Sequence, residues 1–391
     1  NLDYFIDDLP EVLNDNAFNK KTIKILINSE KNIQTNKYYS LNNWSLISDF
    51  FFKKYEKKSI INYLKVLNMN NIDTIRKIRG GLNSKVFKIS KNNNYYCLKI
   101  YPINSDQRER CKTEYNAFNY LKKNNILCTP KSLKIDTSLN IALYSWVNGI
   151  KIKIFNQKNL INLINLIKKL KKLSGSTRIN SFQNASESSI NLTNIYLYNK
   201  NRNDVLKKNK LFYKNFSKHL IEIEKQNEYQ NSILERFLKK ERLTPKLPKK
   251  NLILSPSDIS MKNIINLNKK DFYIDFEYFG WDDPCKMLSD IIWHPSFKMS
   301  QHNYKKLIDY FIVILEKDKY FYKRLKTTFN LYGVRWSLIM LNSFNHIRQN
   351  KLNSIDTRNK NKLINQLIKS KKTIENVLDD KYKRLILSHE Y

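Results

Sequence analysis

The chain has 391 residues, enough for a large core and two or three domains, and its 71 Lys and Arg against 35 Asp and Glu give a formal net charge of +36. The lysines are spread among Asn and Ile along the whole chain, with no arginine-rich tail and no ribbon of alternating basic and aromatic residues, so nucleic acid is not the expected partner. Cys97, Cys111, Cys128 and Cys285 form no CxxC pair and the five histidines make no zinc pattern; free thiols in a reducing cytoplasm fit, and apolar runs such as Tyr310–Leu315 are too short to span a bilayer.

Residues 1–56 read as an N-terminal α/β extension. An apolar run beginning at Tyr4 ends in the acidic pair Asp7 and Asp8, residues 22–28 form a short strand of buried type, and residues 44–55 have the pattern of an amphipathic helix. Strand, acidic pair, strand and helix are how an open α/β sheet ends. This segment resembles the C-terminal edge of haloacid-dehalogenase-like phosphatases, in which a strand-end Asp pair helps to hold Mg²⁺. That family's nucleophilic Asp-x-Asp has no counterpart here, and capping of a helix in a docking extension accounts for Asp7 and Asp8 equally well.

Residues 57–150 change character. A short helix precedes a strand, a Gly-Gly turn at Gly80 and Gly81, a second strand, and a third at residues 95–101. Glycines let a backbone approach phosphates, and Asn83 and Ser84 add donors, although a Gly-Gly pair is also an ordinary hairpin turn. Lys99 is a single cation inside an apolar strand, where an unpaired charge is costly. Glu114 follows fifteen residues later on a helix with Tyr115, Phe118 and Leu121. A strand lysine answered by a helix glutamate is the pair that positions nucleotide phosphates in kinases. The strand from Ile141 then passes through Tyr144 and Trp146 to Gly149, either an adenine-binding linker or a plain strand and turn.

Residues 151–391 read as a larger, mostly helical region with a catalytic segment at 252–294. In "SPSDISMKN", Asp258 and Asn263 lie five residues apart between apolar strands, and Asp275 ends the next strand. Phosphoryl transfer needs a group beside the acceptor hydroxyl and hard oxygen ligands for the metal. Asp258 fits the first role; Asn263 and Asp275 fit the second.

The segment "IDFEYFGWDDP…LSDIIWHP" closely resembles that of choline and ethanolamine kinases, and the order of motifs from about Ile72 to His346 resembles the wider aminoglycoside-phosphotransferase-like superfamily. The resemblance implies an α+β, two-lobed protein-kinase-like fold, with a small antiparallel-sheet N-lobe and a larger helical C-lobe following the N-terminal extension. It implies an ATP-dependent small-molecule kinase, GTP being the other nucleotide open to it. Mg²⁺ would be the cofactor and a hydroxyl-bearing amino alcohol, sugar or glycan precursor the acceptor. Glu277 and Asp290 correspond to acidic positions near the metal site and the catalytic loop, where Asp290 either ligates or braces. The usual loop His is replaced by Pro256, which reads as a subfamily variation because the base and both metal positions are kept. Trp293, Trp336 and Tyr332 are either core residues or the walls of an aromatic cage. Arg335, inside an apolar helix, needs a partner or an anionic substrate. A pseudokinase scaffold of the same fold and a basic nucleic-acid-binding protein are the competing readings.

Overall fold

The computed structural model describes residues 4–15, 17–18, 22–27, 38–41, 44, 47, 56–78, 84–102, 108–175, 182–208, 214–345 and 357–388. The chain divides into two compact units, Asn1–Leu98 and Lys99–Tyr391. The division falls inside a strand.

In the first unit, β1 (Tyr4–Asp7), β2 (Ile23–Ile27) and β3 (Tyr39–Leu41) form a parallel sheet in that order. Parallel pairing is the arrangement an open α/β sheet requires. Between β1 and β2 lies α1 (Pro10–Leu13), opened by a proline whose fixed φ suits the first helical turn. The Asp7 carboxylate accepts the N–H of Leu9 at 2.9 Å and so turns the chain toward α1. The helix expected over residues 44–55 lies, apart from residues 44 and 47, outside the described residues.

Next come α2 (Lys57–Val66), which buries Ile60 and Leu64 one turn apart, and the antiparallel pair β4 (Thr74–Ile78) and β5 (Lys85–Lys91). Phe87 and Ile89 alternate inward along β5, as a half-buried strand demands. Asn92 and Asn93 both hold positive φ, 49° and 60°, making the two-residue hairpin turn into β6 (Asn94–Ile100).

The second unit starts on the last residues of β6. Its α3 (Arg110–Lys123) buries Cys111, Glu114, Phe118 and Leu121 on one stripe. An antiparallel pair follows, β7 (Ser132–Asp136) and β8 (Ile141–Ser145), and the antiparallel-sheet order is β4-β5-β6-β8-β7. β9 (Ile150–Lys151) joins a separate sheet of order β12-β11-β9, with β11 (Ile264–Leu267) and β12 (Lys270–Tyr273). At Gly149 a Cβ would collide with the carbonyl oxygen of Asn266 and lie 2.7 Å from Ile265 Cγ2, so only glycine lets the chain press against β11 there. Gly149→Ala is expected to cost about 1–3 kcal/mol in a denaturant titration, as overpacking at a backbone contact does.

The remainder is helical apart from β10 (Ile253–Ser255) and β13 (Gly280–Asp282), which pair antiparallel. In chain order the helices are α4 (Gln157–Ser174), α5 (Asn194–Lys208), α6 (Lys214–Lys240), α7 (Pro284–Trp293), α8 (Gln301–Ile314), α9 (Phe321–Met340), α10 (Thr357–Leu378) and α11 (Lys383–Leu387). Buried almost all round, α9 packs against α5, α6, α7 and α10, as its near-continuous apolar text predicts. Its one deep cation near the start, Arg324, is matched by Asp283 at 3.0 Å and Asp318 at 2.9 Å. No helix among the described residues is long and apolar enough to cross a membrane.

Candidate active site

The site lies within the second unit and begins with Lys99. Its ammonium reaches Glu114 Oε2 and Asp275 Oδ1, both at 2.6 Å, and Glu277 Oε2 at 3.3 Å. Burial works against the charge on Lys99, but Asp275, Glu114 and Glu277 outweigh it and hold its pKa well above the usual lysine value. Glu114 is itself fixed from three sides. Besides Lys99, its Oε2 accepts the Tyr101 hydroxyl at 2.6 Å and its Oε1 accepts the N–H of Phe276 at 3.1 Å. The Phe276 ring anchors that segment by stacking on Phe279 and tilting against Phe118.

Arg110, at the start of α3, lies 3.3 Å from Glu277 Oε1. Glu114, Asp275 and Glu277 thus face two cations, Lys99 and Arg110, and bring one oxygen each within 4.8 Å of one another. All three are hard oxygen donors, which fit a divalent cation such as Mg²⁺.

The loop after β10 carries Asp258. Asn263 donates its side-chain N–H to the Asp258 carbonyl oxygen and to Oδ2, both at 3.3 Å. Two residues of this site hold left-handed backbone, Ser257 at φ 66° and Asp275 at φ 71°, a conformation that non-glycine residues rarely adopt and that collects at functional sites. Burial, then Asp275, Asp290 and Glu277, push the Asp258 carboxyl up to about 6. The side chain is 40% open to solvent, so the three neighbouring carboxylates add to what burial does.

His294, just beyond α7, presents Nε2 4.0 Å from Asp258 Oδ1. Its Nδ1 accepts the N–H of Ser296 at 3.0 Å, and burial pushes its pKa down to about 4, so the ring is neutral with its proton on Nε2.

The remaining sequence-selected residues fall into place around this centre. Asp290 is a hub: its Oδ1 accepts from Arg335 at 2.7 Å and from Trp336 Nε1 at 2.9 Å, and its Oδ2 lies 3.1 Å from Lys286. Arg335 also pairs with Glu187 at 2.8 Å, so both partners it needed are protein carboxylates and no anionic substrate is required. Trp293 is a correction to the cage idea: it is buried, donates to the Phe329 carbonyl at 3.0 Å and fills the space against Gly333. Tyr332 is buried as well. Trp336 meets the His294 ring edge-on at 4.5 Å between centroids. Tyr144 turns its side chain into the core, with its hydroxyl 2.8 Å from that of Tyr101, so only its backbone is left for the linker role; Trp146 follows where β8 ends. Gly80, Gly81 and Asn83 lie outside the described residues, and Ser84 directly precedes β5.

No family model and no curated protein matches the sequence. Solved structures do match. A choline kinase from Cryptosporidium parvum aligns over 83% of this chain and 97% of its own, with 15% identity and a TM-score of 0.55. A choline/ethanolamine kinase family protein from Mesorhizobium loti covers 85% and 98%, at 15% identity and 0.54. An ADP-bound aminoglycoside phosphotransferase covers 80% and 98%, at 16% identity and 0.51. The fold is protein-kinase-like. An antiparallel-sheet N-terminal lobe and a helical C-terminal region make it α+β, as the motif order implies. The likeness of residues 1–55 to a haloacid-dehalogenase-like domain finds no support in these comparisons. Four participants in the kinase-like site escaped the sequence pattern: Tyr101, Arg110, Lys286 and His294. Lys286 alone left a usable signal, standing four residues before Asp290 on a helical stretch.

Proposed function

We propose that the chain is an ATP-dependent small-molecule kinase that transfers the γ-phosphoryl group to a hydroxyl of an amino alcohol, choline or ethanolamine in type. The observation that carries this is the convergence on Lys99 of Glu114 and Asp275, with Asn263 anchored on Asp258 a few residues away in the same unit. The kinases of like fold support it, one of them bound to ADP and another to the nucleotide analogue AMP-PNP with Ca²⁺.

In this reading Asp258 accepts the hydroxyl proton as the oxygen attacks phosphorus. A carboxylate raised to about 6 is a stronger base than an ordinary one yet is still ionised at neutral pH. Lys99, held by Glu114, neutralises phosphate oxygens. Asn263 and Asp275 would hold Mg²⁺, whose chemistry there is to offset charge on the phosphates. An amine-bearing acceptor suits the surroundings of Asp258, where Asp275, Glu277 and Asp290 are the charged groups that raise its pKa. The high net charge of the whole chain points the other way, toward anionic sugars, but with Arg335 already paired that preference has no receptor in the site.

Ligand binding gives the direct test, because a ligand at a hundred times its Kd stabilises a fold by about 2.7 kcal/mol. Mg·ADP or Mg·ATP is expected to raise the melting midpoint of the wild type and to fail with Asp275→Ala. No shift with any Mg-bound adenine or guanine nucleotide would sink the proposal. The pH dependence has a definite sign: kcat/KM for the acceptor falls about tenfold per unit as pH drops below about 6, because the base must be unprotonated. A profile flat from pH 7 to 4 would remove Asp258 from that role.

A further inference from the structure

The loop that presents Asp258 lacks the histidine expected before it, and Pro256 offers no N–H, yet the loop holds a left-handed residue at Ser257. The Ser257 N–H donates locally to Ser255 Oγ at 3.0 Å, and its side chain is held from outside the loop. The Ser257 hydroxyl touches two groups: it donates to the Ser186 carbonyl at 3.2 Å and accepts from Lys286 Nζ at 3.3 Å. Lys286 stands on α7, fully buried, with Asp282 Oδ2 at 2.8 Å and Asp290 Oδ2 at 3.1 Å. Asp290 lies one helical turn away on α7 and Asp282 ends β13 just before it, so the ammonium is held between the two and a proton remains for the loop. Burial works against its charge, but Asp282 and Asp290 outweigh it and keep its pKa above the usual lysine value.

The partners of Lys286 are held in turn. Asp282 Oδ1 accepts the N–H groups of Ser189 at 3.0 Å and Asp283 at 2.9 Å, and Asp290 carries Arg335 and Trp336. The Ser186 side is equally fixed. Its N–H donates to the Tyr278 carbonyl, and Gly280 allows the backbone of residues 183–185 to lie against β13, where a Cβ would sit 2.6 Å from Ala185 N. The clamp on Ser257 is thus rigid on both sides.

We propose that Lys286, acting through the Ser257 hydroxyl, is the positioning residue that sets the place of Asp258 in a loop that carries Pro256 where a histidine is usual. The inference rests on Asp258 being the base of the proposed kinase, but the clamp itself is a structural claim with its own readout. Ser257→Ala keeps the left-handed strain and deletes the hydroxyl; Ser257→Gly relieves the strain and deletes it too. Lys286→Gln paired with Asp282→Asn removes the ammonium without leaving a buried carboxylate unmatched, which guards against a variant that merely unfolds.

Amide hydrogen exchange on the full chain reads the clamp whether or not turnover is found. All three variants are expected to exchange faster over residues 255–261, with global melting little changed. Where the wild type turns over, kcat should fall about 10- to 100-fold while KM for ATP stays within about twofold, since misplacing a base spares nucleotide binding. Combining Ser257→Ala with the Lys286 and Asp282 pair should add little to either alone. The clamp is overturned if exchange over 255–261 is unchanged in Ser257→Ala, or if Ser257→Gly matches the wild type in exchange and turnover, which would make strain rather than the hydroxyl decisive. Inert wild type with faster loop exchange in the variants would defeat the kinase reading and leave the clamp standing.

Discussion

Asp258→Asn is expected to lower kcat by about 10²- to 10⁴-fold, the range that a positioned base contributes, while Mg·ATP still binds. The amide can still accept the Asn263 N–H at one oxygen, so the loop geometry survives and the loss is chemical. The same substitution has a second, opposite consequence for stability. With a folded pKa of about 6 against an ordinary value of 3.8, the fold favours the protonated acid. That contribution is fully present below the unfolded value and is lost as pH rises through 6. At pH 8 the charged carboxylate therefore weakens the fold, and the asparagine variant should melt higher than wild type, by about 1 kcal/mol of stability once solvent screening is allowed for. The gain should shrink toward pH 4. Lower activity with higher stability above pH 6 is the signature of a carboxylate kept where the fold alone would not keep it. A variant less stable than wild type at pH 8 would contradict this.

Lys99→Met has the largest expected cost to the fold. It leaves Glu114 and Glu277 buried, together with the half-buried Asp275, after removing the ammonium that all three share. Removing one partner of a buried ion pair typically costs about 3–5 kcal/mol, because the remaining charge has lost its compensation. Denaturant unfolding should show that loss, and nucleotide-induced stabilisation should vanish with it. Glu114→Gln on the Lys99→Met background should recover part of the stability and none of the turnover. The recovery separates an electrostatic cause from a packing one, since methionine fills about the same volume. If the double variant were as unstable as the single one, the charge account of this centre would fail.

Much of the candidate site was legible because the proposed phosphoryl transfer would require particular residues in a fixed order. Lys99, Glu114, Asp258, Asn263 and Asp275 could be picked from spacing and apolar context, and the structure places them in one unit. Helices with a clear apolar stripe, such as α4 and α10, were equally plain. What could not be read depends on contacts distant in sequence. The two-residue β9 exists because Gly149 lets the chain press on β11, a pairing that no local pattern encodes. Buried Asp271 is explained only when Asn159, 112 residues away, is seen to donate to both of its oxygens at 3.0 and 2.9 Å. Trp293 has the composition of a ligand wall and the position of a core residue, and only its partners Phe329 and Gly333 decide between them. Ser257 gives no hint in sequence of its positive φ, since serine is not a residue that advertises one.

The central claim is that Asp258 serves a metal-dependent transfer from nucleotide to a hydroxyl acceptor. The most direct measurement is Mg²⁺-dependent ATP and GTP turnover by wild type and Asp258→Asn, with choline, ethanolamine, sugars, nucleosides and aminoglycosides offered as acceptors. The account predicts phosphorylated product with an amino alcohol, turnover reduced by at least about 10²-fold in the variant, and nucleotide binding retained in both. Equal turnover by wild type and Asp258→Asn, or none from either with every acceptor, would contradict it.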